Sequence, residues 1–185
     1  MNGLALIGGK SQRMGFDKSL LKYHNTPQWK YLYNLLYMYC DDVFLSCQQE
    51  QAHYIDDKHN TIEDHYGNGP LGGLLTAFEY SSTSAWLTVA CDMPYISKAT
   101  IEYLIKHHTP TCDATVFVNP HTQLIEPLLG IYQPTAYPLI KTKFQAGAYS
   151  LSAFLKEANS NLLVCPTPIW LENVNTLEAY KKFFD

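Results

Sequence analysis

The chain has 185 residues, of which 46% are hydrophobic and 16% are charged, the size and composition of one ordinary globular domain. Its net charge of -4 lacks the basic surplus of proteins that bind polyanions, so we expect no nucleic-acid partner. The five cysteines never show C-x-x-C spacing, and the sequence contains neither a signal-peptide pattern nor about 20 consecutive apolar residues, which favours a cytoplasmic protein without a membrane partner. We expect residues 1–185 to form a single domain.

Patterns typical of strands and helices alternate along the chain. In chain order they are strand 3–7, helix 27–39, strands 43–46 and 61–63, helix 72–80, strand 86–90, helix 97–107, strands 114–118 and 128–132, helices 135–144 and 150–156, strand 162–165 and a helix that Thr176 caps and that ends at Phe184. This alternation predicts an α/β fold, a Rossmann-like three-layer sandwich with a mostly parallel central sheet and helices on both faces. Ligands of such folds bind outside the carboxyl ends of the strands.

A glycine-rich segment, LIGGKSQRMGFDK, follows the first strand. It is not a P-loop, because that motif needs a further glycine five residues before Gly9, and it contains no G-x-G-x-x-G. The pair Gly8 and Gly9 allows backbone amides to approach a ligand closely, and Arg13 and Lys18 add positive charge. These features favour a cradle for a polyphosphate. For the glycine pair alone, a tight turn with solvated basic residues remains an equal alternative.

Asp92 directly follows the apolar strand 86–90 and its Cys91, which places its carboxylate at the ligand-binding edge of the sheet. Two unit charges ~4 Å apart repel by ~4 kcal/mol at an effective dielectric near 20, so a carboxylate facing phosphates calls for a cation between them. Mg²⁺ prefers such hard oxygen ligands and combines one or two carboxylates with phosphates. We therefore expect Asp92 to bind Mg²⁺, the alternative being an aspartate that caps the next turn.

The glycine-rich segment and four later blocks resemble those of the MobA-like nucleotidyltransferases, the family that attaches a nucleotide to the molybdenum cofactor. The blocks occur in the family's order and are GPLGGL at 69–74, ACDMPYI at 90–96, EPLLGIY at 126–132 and NVNT at 173–176. The resemblance implies a fold like that of the nucleotide-diphospho-sugar transferases. It also implies transfer of GMP from GTP to the terminal phosphate of molybdopterin, with release of pyrophosphate and Mg²⁺ as cofactor.

The resemblance also implies roles for individual residues. The catalytic set is Arg13, Lys18 and Asp92. The nucleotide would contact Leu6, Ile7, Gly8, Gly9, Lys18, Ser46, Asp64, Gly73 and Asp92. The acceptor would contact Asn173 and Asn175, for which the alternative is an asparagine turn that leads to the cap at Thr176.

The double glycine resembles the guanylyl-transferring branch of the family, which favours GTP over CTP. Ile7 and Ser46 depart from the alanine and asparagine that are common there, and segment 147–151 lacks the arginine usual in relatives. Two alternatives therefore stay open. One is a transferase that uses CTP or acts on a sugar phosphate or another phosphorylated alcohol. The other is a non-catalytic nucleotide-binding factor that works with molybdoenzyme maturation proteins.

Overall fold

The computed structural model describes residues 1–8, 17–67 and 69–184. Within these ranges seven strands form one sheet, in the order β3-β2-β1-β4-β6-β5-β7. The strands are β1 Asn2–Leu6, β2 Val43–Cys47, β3 Asn60–Glu63, β4 Trp86–Ala90, β5 Ala114–Val118, β6 Ile125–Tyr132 and β7 Ser160–Val164. β6 runs antiparallel to both of its neighbours, whereas the other adjacent pairs are parallel. The mostly parallel sheet confirms the prediction.

Seven α-helices accompany these strands in the described ranges. They are α1 Gln28–Leu36, α2 Gln49–Ala52, α3 Pro70–Tyr80, α4 Lys98–Lys106, α5 Ala136–Gln145, α6 Leu151–Glu157 and α7 Leu177–Lys182. Two short 3-10 helices, Lys18–Leu20 and Pro168–Leu171, complete the regular structure that is described. None of these helices combines the length and the apolar character that a membrane crossing requires.

The side chains of the central strands alternate between two apolar cores on opposite faces of the sheet. In β1, Leu4 and Leu6 pack with α3, α5 and α6, whereas Ala5 packs with α1 and α4. In β4, Trp86 belongs to the first of these cores and Leu87 to the second. Successive side chains of a strand point to opposite faces, so a strand covered on both sides is apolar throughout. Two cores around one sheet confirm the three-layer sandwich.

Four strands and one helix begin earlier than the sequence pattern predicts, and the differences at α3 and β6 involve a proline. α3 begins at Pro70, because Gly69 adopts a positive φ of 76° and the proline then occupies the first helical position, where a missing N–H is tolerated. β6 begins at Ile125 because the strand continues through Pro127, near which its register against β5 shifts. Proline cannot donate to the ladder, so it normally argues against a central strand at such a place.

Candidate active site

The carboxyl ends of β1, β2, β3 and β4 lie at one edge of the sheet, because these four strands are parallel neighbours. The segments that follow them surround a cavity of about 340 Å³, which we call the first cavity. The described residues that line it are Leu6, Ile7, Gly8, Lys18, Ser46, Gln48, Asp64, Gly67, Gly69, Pro70, Gly73, Ala90, Cys91, Asp92 and Leu128. A cavity of this volume, with a few converging polar groups, is typical of a small-molecule site.

Gly8 forms part of the floor of the first cavity. Its N–H and that of Ile7 both donate to the carbonyl oxygen of Ser46, each at 3.0 Å, which fixes the backbone where β1 ends. A Cβ added at Gly8 would lie 3.7 Å or more from the described atoms outside its chain neighbours, an ordinary van der Waals distance. Packing among the described residues therefore does not require glycine here, and the missing side chain leaves space for a ligand close to the backbone.

Gly73 also lines the first cavity, but packing accounts for it. A Cβ at this position of α3 would lie 2.8 Å from Ser46 Oγ and 2.9 Å from Leu6 Cδ2. Both distances are shorter than van der Waals contact, so glycine lets α3 approach β1 and β2 closely. The two glycines thus serve the same cavity for different physical reasons.

Lys18 is the basic side chain of the first cavity within the part of the chain that the structure describes. Its Nζ lies 3.9 Å from Asp92 Oδ2 and donates a hydrogen bond to Asn175 Oδ1. The side chains of Lys18 and Asp92 are only 17% and 25% exposed, so their attraction is less screened than that of a surface pair. The contacts hold the ammonium group at the centre of the site.

The buried side-chain amide of Gln51, in α2, links the backbone at Ile7 to the side chain of Asp17, the residue before Lys18. Its Nε2 donates to the carbonyl oxygen of Ile7 at 3.0 Å and to Asp17 Oδ2 at 2.6 Å, while its Oε1 accepts the Gln48 N–H at 3.1 Å. The Tyr54 hydroxyl also donates to Asp17 Oδ2, at 2.6 Å. Every hydrogen-bonding group of the Gln51 amide has a partner, as a buried polar side chain requires.

Asp17 is the centre of this cluster and the residue directly before Lys18. Burial raises its pKa, but hydrogen bonds from Gln51, Tyr54 and Ser19 outweigh that effect, and the net pKa lies below the ordinary aspartate value. Asp17 is thus held as a carboxylate. It also caps the 3-10 helix Lys18–Leu20 by accepting the Ser19 N–H at 2.9 Å.

Asp92 lies in the turn after β4, and its carbonyl oxygen accepts the Val174 N–H at 2.7 Å. Burial raises the pKa of its carboxyl group, and nearby Lys18 only partly offsets this. Its Oδ1 is buried and has no hydrogen-bond partner among the described residues. A buried carboxylate oxygen in this state is costly unless something binds it.

Asp64 follows β3 at the far side of the first cavity. Its Oδ1 accepts the N–H groups of Tyr66 at 3.0 Å and Gly67 at 3.1 Å, so the carboxylate shapes the turn that precedes α3. Burial raises its pKa, and these hydrogen bonds partly counteract the rise. One oxygen of Asp64 is therefore already used by the fold.

A second cavity of about 350 Å³ adjoins the first and shares Pro70, Asp92 and Leu128 with it. Its other described lining residues are Leu71, Glu126, Pro127, Tyr149, Ser150, Leu151, Ser152, Asn173 and Asn175. Glu126 Oε1 accepts the Leu128 N–H at 3.0 Å, and the Asn173 side chain also hydrogen-bonds this carboxylate. Burial, together with the charge of Asp92, raises the pKa of Glu126.

A model of the MobA-like NTP transferase domain matches residues 3–162 of this sequence, most of its length. The chain belongs to the MobA-like NTP transferase family.

Individual relatives agree with the family assignment. The chain is 34% identical over 180 residues to a molybdenum cofactor biosynthesis bifunctional protein of Synechocystis, covering 96% of this chain but only 52% of that longer protein. It is 27% identical over 179 residues to a molybdenum cofactor guanylyltransferase of Pseudomonas fluorescens, covering 95% and 89% of the two chains. The crystal structure of molybdopterin-guanine dinucleotide biosynthesis protein A from Archaeoglobus fulgidus superposes with a TM-score of 0.82 at 19% identity, over 99% and 96% of the chains. That likeness shows the shared fold.

The structure brings together the residues that the family resemblance singled out. All the predicted nucleotide-binding residues that the structure describes line the first cavity: Leu6, Ile7, Gly8, Lys18, Ser46, Asp64, Gly73 and Asp92. Asn173 and Asn175 line the second cavity. Gly9 and Arg13 lie outside the described residues. The roles assigned to these side chains stay predictions.

Two residues of the site were missed by the sequence analysis. Glu126 belonged to a recognised block but received no role, although a lone acid in the apolar strand IEPLLGIY was a usable signal. Gln51 lies in a single-turn helix and no motif marks it. Only the tertiary structure shows that it joins Ile7 to Asp17.

The described residues of the site offer Mg²⁺ one carboxylate ligand rather than a complete set of protein ligands. The described residues contain no group of three or more His, Cys, Asp and Glu side chains that could hold a metal. Asp92, however, offers a buried carboxylate oxygen that lacks a protein partner, at the point where the two cavities meet. A single carboxylate that completes its shell with phosphate oxygens and waters is a common way to bind Mg²⁺.

Proposed function

We propose that this chain transfers GMP from GTP to the terminal phosphate of molybdopterin and releases pyrophosphate. The observation that carries the proposal is Asp92, which lies between two adjoining cavities and beside Lys18. One cavity suits the nucleotide and the other the acceptor, so the two substrates would meet at this carboxylate. The names of the relatives from Synechocystis and Pseudomonas fluorescens support the same reaction.

The first cavity is assigned to GTP. The open backbone at Gly8 can approach the phosphates closely, and Lys18 can neutralise part of their charge. Ser46 and Asp64, at the ends of β2 and β3, would lie toward the nucleoside. GTP rather than CTP is proposed because of the double glycine after Ile7.

The second cavity is assigned to the acceptor, with Asn173 and Asn175 among its contacts. An oxygen of the acceptor's terminal phosphate attacks the α-phosphorus of GTP, a new P–O–P linkage forms, and the bond to pyrophosphate breaks. Negative charge spreads over the phosphoryl oxygens during this exchange. Lys18 counters that charge, while the fixed backbone of residues 6–8 keeps the reacting groups in place. When bound at Asp92, Mg²⁺ would supply further neutralisation of phosphate charge.

The assignment is tested by measuring GMP transfer and pyrophosphate release by the variants Lys18→Ala and Asp92→Asn. Loss of one charge-stabilising group typically lowers the turnover number by about 100-fold or more, and we expect each variant to fall by at least that amount. Lys22→Ala is the matched control, because Lys22 is exposed and does not line the first cavity. Activity near that of the unmodified protein in both site variants would refute the assignment.

Nucleotide choice needs a separate measurement. We expect GTP to bind more tightly than CTP when the two compete for the protein in the presence of Mg²⁺. Tighter binding of CTP would overturn the proposed base and favour cytidylyl transfer.

A further inference from the structure

The second cavity differs chemically from a site built for an anion. Among the described residues that line it there is no lysine, arginine or histidine. Two carboxylates, Asp92 and Glu126, lie beside two asparagine amides and the hydroxyls of Ser150 and Ser152. The remaining walls are apolar or aromatic. Such a lining suits an uncharged, partly apolar group that carries N–H donors, rather than the body of a sugar phosphate.

Glu126 supplies the hydrogen-bond acceptor of this cavity. It is a single charged residue in an otherwise apolar strand, and its backbone lies next to Pro127, which closes one wall. Its carboxylate accepts from the Leu128 N–H and from the Asn173 side chain, which fix its orientation. An ionised carboxylate has about four lone-pair positions, so it retains capacity for two further N–H donors.

Tyr149 supplies a flat apolar surface at the same cavity. Its side chain is 43% exposed, and its ring packs edge-on against Phe144, with the ring centres 4.9 Å apart. Phe144 in turn packs against Tyr66, with centres 4.8 Å apart. The Tyr149 ring is thus packed against a neighbouring ring, is partly exposed and lines the second cavity, so it can contact a planar ligand there.

We propose that the second cavity binds the pterin ring of the acceptor, with Glu126 accepting hydrogen bonds from the ring N3–H and the 2-amino group and with Tyr149 packing against the ring face. This inference rests on the proposed function for the presence of a pterin. The two adjacent N–H donors of a 2-amino-4-oxo ring match one carboxylate. Guanine carries the same pair of donors, so the experiment must separate a pterin from the base of GTP.

The test compares the binding of 6-hydroxymethylpterin with that of 6-hydroxymethyllumazine, which has an oxygen in place of the 2-amino group. Fluorescence titration is done with and without saturating GTP. We expect the pterin to bind about tenfold more tightly than the lumazine, since the replacement removes one charge-assisted hydrogen bond and places two oxygens together. We expect saturating GTP to leave the affinity for the pterin unchanged.

Glu126→Gln keeps the shape of the side chain but removes its charge. The preference for the pterin should fall to about twofold in this variant, while its affinity for GTP stays the same. Four results would overturn the proposal: no binding of the pterin, equal binding of the two rings, a preference that survives in Glu126→Gln, or displacement of the pterin by GTP.

A second pair of variants tests the stacking surface. Tyr149→Ala should lower the affinity for the pterin and for the lumazine by about fivefold. Tyr149→Phe should bind both ligands like the unmodified protein, because phenylalanine keeps the aromatic face of the side chain. Equal binding in all three proteins would overturn the role of Tyr149. These binding results do not depend on turnover. If the ring preference holds but no GMP is transferred to molybdopterin, the proposed reaction fails while the ring site remains supported.

Discussion

The two cavities that meet at Asp92 are built in different ways. The first lies at the ends of parallel strands and the start of α3, and its described lining includes Gly8, Gly73 and a single lysine, Lys18. The second is formed by side chains from β6, from α6 and the residues before it, and from the C-terminal segment, and its described polar groups are carboxylates, amides and hydroxyls. A phosphate chain needs amides and positive charge, whereas a neutral ring needs apolar walls and hydrogen-bond partners.

The two cavities also differ in how far a family would share them: backbone geometry is common to the fold, whereas individual side chains can differ between members. Backbone geometry at strand ends comes with the fold, so glycine blocks that create it are recognisable in a sequence. Side-chain chemistry such as that of Glu126 and Tyr149 can change without altering the fold. The first cavity should therefore depend on support of its backbone, and the second on individual side chains.

The largest change in stability is expected at Gln51, whose buried amide holds the backbone of the first cavity at Ile7. Gln51→Glu is nearly isosteric, but it removes both donors to Ile7 and Asp17 and places a carboxylate beside the Asp17 carboxylate. We expect the free energy of unfolding to fall by about 3 kcal/mol, because buried partners lose their hydrogen bonds and like charges are brought together. Urea unfolding at neutral pH measures the change.

Gln49→Glu is the matched control, since Gln49 is an exposed residue of the same short helix. Its unfolding free energy should stay within about 0.5 kcal/mol of that of the unmodified protein. Where Gln51→Glu still folds, its affinity for GTP should drop while its affinity for the pterin stays the same. If both affinities drop together, the hydrogen bonds of Gln51 support both cavities, and the proposed difference between the two cavities is wrong.

A smaller effect is expected at two glycines that differ in how closely they are packed. A Cβ at Gly72 would lie 2.0 Å from the carbonyl oxygen of Gly67, so the turn held by Asp64 would have to move. Gly72→Ala should lower the free energy of unfolding by about 2 kcal/mol, because the added methyl group would force the packed backbone to shift. Among the described residues, a Cβ at Gly8 meets no such contact, so Gly8→Ala should keep nearly the stability of the unmodified protein.

GTP binding should respond to these glycines differently from stability, with a marked loss at Gly8. We expect Gly8→Ala to weaken GTP binding by about tenfold or more, because its methyl group occupies space beside the phosphates. Thermal unfolding and nucleotide titration of the two variants check both statements. Normal GTP binding by Gly8→Ala would show that the open backbone at Gly8 is not where the phosphates lie.

The sequence was sufficient for the fold because each central strand is covered on both sides and is therefore apolar throughout. β4 and β5 were predicted with their observed bounds, and the predicted cap at Thr176 marks a real helix start. What failed were elements whose local signal is weak or conflicting. α2 is a single turn, and Pro127 hides the first half of β6.

The same distinction holds for the candidate site. Lys18, Asp92 and the glycines could be predicted because they belong to blocks with family spacing. Gln51 could not, since its role depends on contacts with Ile7 and Asp17 that are distant in the sequence. The pairing of Lys18 with Asn175 is likewise long-range, and no local pattern encodes it.

The smallest change in the free energy of unfolding is expected at Asp92, a residue that both cavities share. Burial raises the pKa of its carboxyl group in the folded protein, so the folded state favours the protonated form. The stability linked to this group is therefore fully present below the ordinary aspartate pKa and is lost as the pH rises through the higher folded-state pKa. Without nucleotide, Asp92→Asn should increase the free energy of unfolding at neutral pH by on the order of 1 kcal/mol.

Unfolding of both proteins between acidic and neutral pH checks this sign. The gain of Asp92→Asn should shrink as the pH is lowered, because the native carboxyl group is then neutral in the folded and the unfolded states alike. Asp57→Asn, at an exposed position, serves as the control and should show no comparable gain. Addition of GTP with Mg²⁺ should stabilise the unmodified protein more than Asp92→Asn. If Asp92→Asn is instead less stable at neutral pH, the attraction of Lys18 outweighs the cost of burial, and the carboxylate at the junction is held for structure rather than for a cation.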